Sequence, residues 1–190
     1  MRLFSSVFLI FTIAPIATAA TLAVEVRNAR GTPIGDAVVY AVPDDRDVTP
    51  TRRTVTMDQK NRTFVPHILP IQTGTAVQFP NSDDIRHQVY SFSPAKTFQL
   101  PLYKGTPANP IVFEKPGVVT LGCNIHDRMT AYIVVVPTPY FASTSSGRAS
   151  LPNLGAGKYT VHVWTPDSES TAVPVTLATS ERRDLVIVAR

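Results

Sequence analysis

The chain has 190 residues, with 18 Lys and Arg against 14 Asp and Glu and a single cysteine. A formal charge of +4, spread along the sequence, makes no case for a nucleic-acid partner. One cysteine excludes an internal disulfide, which leaves a buried spectator, an intermolecular link or a metal ligand.

Arg2 precedes an apolar-to-small run, Leu3 to Ile16, which ends in Ala17-Thr18-Ala19-Ala20. A short basic start, an apolar core and a small-x-small end read as a secretory signal peptide, residues 1–19. The run falls short of the roughly 20 residues that span a bilayer. The expectation is an exported, periplasmic chain of about 171 residues with no membrane span after cleavage. Loss of Arg2 lowers its formal charge from +4 to +3.

Seventeen prolines and nine glycines punctuate short Val-, Ile-, Thr- and Tyr-rich runs, and no stretch keeps a 3.6-residue apolar period beyond a turn or two. Such spacing predicts an all-β sandwich architecture. Strands are expected at Leu22–Arg27 and Ala37–Val42, with a turn at Gly31 and Pro33 between them. Asp44 to Arg53 reads as a charged linker. Thr54–Met57, Phe64–Gln72, Thr75–Phe79, His87–Phe92, Phe98–Leu100 and Ile111–Phe113 follow as strands, with a loop over Pro80–Asp84. Val118–Gly122 and Ala131–Val136 flank a short polar loop, and Ala172–Leu177 and Asp184–Ala189 close the chain.

That polar loop carries the chemistry. Cys123, His126 and Met129 fall within seven residues between two apolar strands. Thiolate and thioether suit Cu(I) and imidazole suits Cu(II), so together they make a donor set for redox-active copper. A fourth ligand must come from a neighbouring strand, and His87 begins one. Zinc is the rival for Cys and His ligands but rarely recruits methionine, and a structural histidine beside a core cysteine is the bland alternative. His67, in Phe64-Val65-Pro66-His67, is a possible additional ligand. His162 alternates with Val161 and Val163 and is expected to face solvent. Lys60, Arg62, Arg86 and Arg128 are candidates to surround the metal end and favour an acidic partner. No paired carboxylates or Gly-x-Ser-x-Gly elbow point to hydrolytic chemistry, so no enzyme is expected.

Two resemblances organise the chain further. Phe64-x-Pro66, Gly74-Thr75-x-Val77-x-Phe79-x-Asn81-x-Asp83, His87-x-Val89 and Pro116 through Met129 resemble the plastocyanin-like cupredoxin pattern. The Cys-x2-His-x2-Met loop is similar to the amicyanin type, and residues 57–141 look like the cupredoxin-like methylamine utilization proteins. The resemblance implies a Greek-key β-sandwich with a type 1 copper site at His87, Cys123, His126 and Met129. It also implies a single-electron carrier between a dehydrogenase donor and a cytochrome acceptor; a periplasmic copper chaperone or store is the alternative. Two positions depart from the pattern: Gln88 stands where Asn usually follows the upstream histidine, and Asp127 where proline often follows the loop histidine.

The opening strands, and Gly147 through Trp164 with its Leu151-Pro152-x-Leu154 and Gly157-Lys158-Tyr159 segments, resemble transthyretin-like and carboxypeptidase regulatory-like Ig-fold modules. The domain reading is therefore a copper domain at 47–137 inserted into a split Ig-like sandwich, 20–46 with 138–190. The rival is two consecutive domains, with 22–42 starting the copper domain. In either reading, Trp164, Tyr159 and Tyr140 sit on strands where core packing suits them better than ligand contact.

Overall fold

The computed structural model describes residues 19–189, so all but the last residue of the expected signal peptide lies outside the described residues. The chain is all-β. β1 (Ala20–Arg27) and β2 (Val38–Pro43) come first. They are followed by β3 (Thr54–Thr56), β4 (Asp58–Lys60), β5 (Thr63–Val65), β6 (Ile68–Gln72), β7 (Thr75–Gln78) and β8 (Tyr90–Ser93). Next are β9 (Lys96–Gln99), β10 (Ile111–Phe113), β11 (Gly117–Leu121), β12 (Ala131–Val136) and β13 (Phe141–Ser143). The last four are β14 (Arg148–Leu154), β15 (Gly157–Thr165), β16 (Ser168–Leu177) and β17 (Arg182–Val188).

β1 alternates strictly between buried and half-buried residues, the signature of a strand with one face on a core. It pairs antiparallel with β14 and parallel with β17, with Val24 opposite Leu185. A second sheet, β13-β2-β15-β16, packs across from it. Leu22, Val24, Val39, Leu151, Tyr159, Val161 and Ile187 form one buried cluster between the two sheets.

A second cluster gathers Phe79, Phe113, Val119, Leu121, Ile133 and Val135 with Cys123 and Met129. It lies among β10-β7-β3, β11-β12-β6 and the β4–β5 and β8–β9 hairpins. Buried side chains of this size contribute about 1.5–3 kcal/mol each. That burial holds the strands on either side of the cysteine loop in place. Reciprocal backbone hydrogen bonds between Tyr90 and Gly122 (3.1 and 3.0 Å) join β8 to the end of β11.

A third, smaller cluster joins the two larger ones. Val134 and Val136 of β12 pack on Val38 of β2, with Tyr40, Ile68, Phe141 and Trp164 around them. Its presence overturns the expectation for His162, which does alternate with its valines. The opposite face is covered, and the ring is half-buried and stacked on Tyr40 at 4.8 Å with a 9° interplanar angle. Burial pushes its pKa down, and Asp44 opposes that shift. The single strand expected over Phe64–Gln72 is two, β5 and β6. The strand expected from His87 begins at Tyr90, and His87 itself sits in an isolated bridge with Tyr103.

Candidate metal centre

The ligand loop leaves β11 at Gly122 and re-enters sheet structure at Ala131. Two turns shape it: His126 N–H donates to Cys123 C=O at 3.3 Å, and Met129 N–H to His126 C=O at 2.9 Å. Stepping back three residues each time, these bonds curl the segment so that Cys123 and Met129 both enter the core, 3% and 1% exposed.

His87 comes from the other side. Asn81 fixes its approach by donating from Nδ2 to the carbonyls of Ile85 and Tyr103. Tyr103 exchanges two backbone hydrogen bonds with His87. The Tyr103 hydroxyl donates to Phe79 C=O and accepts from Gln59, and burial pushes its pKa up to about 12. His87 is fully buried. Its Nδ1 lies 3.9 Å from Cys123 Sγ, and its ring centroid is 5.0 Å from that of His126. One ligand atom each from His87, Cys123 and His126 lies within 4.8 Å of the other two.

Asp83 sets the orientation of His87. Its Oδ2 is 2.7 Å from His87 Nε2 and accepts the Arg62 N–H at 2.9 Å, while Oδ1 accepts the Asn61 N–H at 2.6 Å. Asn61 and Arg62 both have positive φ (55° and 58°) and form a two-residue type I′ turn joining β4 to β5. Burial acts to raise the Asp83 pKa, but the Arg62 N–H, the His87 ring and the Asn61 N–H outweigh it and hold the carboxyl below its ordinary value. An ionised carboxylate only accepts, so His87 Nε2 carries the hydrogen and Nδ1 presents its lone pair towards Cys123.

On the loop side, His126 is partly exposed, yet its Nδ1 is buried without a hydrogen-bond partner. A buried polar atom left unmatched costs about 1–3 kcal/mol, and here it belongs to a residue of the three-residue cluster. Gln88 braces the loop: Asn124 Nδ2 donates to its Oε1 at 2.7 Å and ties the His87 segment to the loop.

His67 lies outside the cluster. It is exposed, its C=O accepts Tyr132 N–H, and its ring meets Tyr132 edge-on at 5.6 Å. Lys60, Arg62, Arg86 and Arg128 are exposed, and so are Asp84 and Asp127, which gives this end mixed charge. The roles of Asp83 and Tyr103 were not foreseen from sequence; Asp83 at i−4 to a candidate ligand was the available signal.

No family model and no curated protein matches the chain. Among solved structures, it is similar to a copper-containing nitrite reductase from Thermus scotoductus SA-01, with 26% identity over 51% of this chain and a TM-score of 0.42. The match spans only 25% of that enzyme. It is also similar to a reduced amicyanin variant, with 20% identity over 44% of this chain and 82% of that one and a TM-score of 0.40. A purple cupredoxin from Nitrosopumilus maritimus matches at 22% identity over 43% of this chain and 98% of that one, with a TM-score of 0.38.

Proposed function

We propose that the chain binds one copper ion through His87, Cys123 and His126, with the Met129 thioether as a weaker fourth donor, and carries single electrons. The observation that supports this most is the clustering of His126, whose buried Nδ1 has no hydrogen-bond partner, with a buried thiol and the His87 imidazole. The donors suit copper: the mix of thiolate, thioether and imidazole serves both oxidation states, whereas zinc has no use for the methionine. Copper held there supplies a one-electron couple.

The chain's own residues prepare the site. Asp83 fixes the tautomer of His87, and Gln88 holds the loop through Asn124. The core around Cys123 and Met129 excludes water. With His87, Cys123 and Met129 all but fully buried, the exposed edge of His126 is the group through which an electron passes to a partner. This suits a carrier better than an enzyme with an open substrate position. We assign the copper domain to residues 47–137 and the second sandwich to 20–46 with 138–190. We place the protein in the periplasm after removal of residues 1–19. Its partners, by family resemblance, are an amine- or alcohol-oxidising dehydrogenase and a cytochrome. Among the described residues no helix is long and apolar enough to cross a membrane.

Mass spectrometry under native conditions tests the stoichiometry. One copper per chain is expected, lost in His126→Ala, with a reversible one-electron voltammetric wave. Zinc outcompeting copper, or a copper-loaded chain with no such wave, rejects the reading.

A further inference from the structure

Where the two sandwiches meet, beside Phe141 of the third apolar cluster, they leave a cleft of about 210 Å³. Val55 of β3, Pro70 and Ile71 of β6, Pro139 just before β13 and Phe141 on it give the cleft apolar walls. An apolar cavity of about 150 Å³ accepts benzene, so the space suits one six-membered ring or a branched chain of that size. None of the residues of the metal cluster lines it.

One charged residue lines this cleft, Arg53, and no acid does. Arg53 is exposed, and its guanidinium makes no hydrogen bond or ion pair with a described residue. The segment that carries it is pinned at two points. Buried Gln72 accepts the Thr51 N–H at 3.1 Å and donates to Thr49 C=O at 3.4 Å, and Arg53 C=O accepts the Ala76 N–H at 2.8 Å. The arginine is therefore held at the mouth of an apolar space before anything binds, which lowers the ordering cost of binding. On its other side Arg53 borders a second cleft with Arg52 and Glu114, where an acid offsets the added charge.

We propose that the cleft binds a small monocarboxylate with a compact apolar body, of about the size of benzoate, its carboxylate on Arg53 and its body against the apolar walls. The proposal does not depend on the copper reading. The planar guanidinium pairs with a carboxylate through two parallel hydrogen bonds, which fixes orientation as well as charge. A single cation matches a single negative charge, and the five apolar walls disfavour a small, strongly hydrated anion. A neutral ring would leave the arginine unused. Because Ile71 belongs to one sandwich and Phe141 to the other, the bound acid spans the junction and stabilises the folded chain by mass action.

Benzoate is the probe, titrated into the full chain at constant ionic strength and followed by nitrogen-15 NMR, with and without added copper. Saturable shifts should centre on Ile71, Gln72, Thr75 and Phe141, with a dissociation constant on the order of a millimolar or below. Arg53→Gln, at an exposed side chain with no partner to lose, should keep the fold and weaken binding about tenfold, the loss expected for one charge-assisted pair. Arg52→Gln, which lines only the neighbouring cleft, should bind as wild type does. Benzamide, of the same shape without the charge, should bind about tenfold more weakly than benzoate. No shifts at the cleft, an unchanged affinity in Arg53→Gln, or benzamide binding as tightly as benzoate overturns the proposal. So does displacement of benzoate by inorganic phosphate, which would give the cleft to small hydrated anions.

Discussion

Replacing Asp83 by alanine removes three hydrogen bonds at once, and their surroundings set the cost. The N–H groups of Asn61 and Arg62 lie on an exposed turn, where water replaces the carboxylate, so each loss amounts to about 0.5–1 kcal/mol. The His87 Nε2–H is different, because the ring is fully buried and its donor is left unmatched, at about 1–3 kcal/mol. Together the loss is about 2–5 kcal/mol, with water entering the vacated space setting the lower end. With the tautomer no longer fixed, copper affinity should fall roughly 10- to 100-fold. Asp83→Asn keeps one acceptor and should fall between the two. Urea unfolding of the metal-free chain and competitive copper titration measure the two effects separately. An Asp83→Ala chain within about 0.5 kcal/mol of wild type, with unchanged copper affinity, would refute the idea that this carboxylate holds the ligand.

Gln88→Ala frees Asn124 and should lower copper affinity about tenfold while costing about 1 kcal/mol of stability, read by the same titration and unfolding curves. Gly122→Ala puts a methyl group into the Tyr90 ring; the ring must swing out, at about 1–3 kcal/mol, and tyrosine fluorescence should report a more exposed side chain. Burial lowers the His162 pKa, so between that lowered value and the ordinary histidine value the unfolded chain binds more protons than the folded one. Stability should therefore be full above that range and decline as pH falls through it. In His162→Phe, which keeps the stack on Tyr40, urea midpoints between about pH 5 and about pH 8 should lose this decline.

The sequence made the all-β class legible because strand-forming runs and turn residues alternate at short spacing. It made the loop legible because cysteine, histidine and methionine at three-residue intervals have few other uses. The hairpin at Lys60–Thr63 was hidden because Asn61 and Arg62 take positive φ with no glycine there to mark it. For the same reason the Asp83 clamp could not be read, since it depends on that turn lying against the Pro80–Asp84 loop. His162 was placed on the correct side of its strand, but alternation shows only which face is opposite the core. Whether a second sheet covers that face depends on packing between distant segments. Tyr90 and Gly122 lie far apart in sequence, and glycine's tolerance of a ring at close range leaves no pattern of its own.

The Cys123 thiolate is the donor on which the copper centre depends most directly. Copper-loaded protein should show an intense visible thiolate-to-copper charge-transfer band, and Cys123→Ser should lose it while keeping the fold by circular dichroism. A colourless Cu(II) form, or a band that survives in Cys123→Ser, would contradict the assignment.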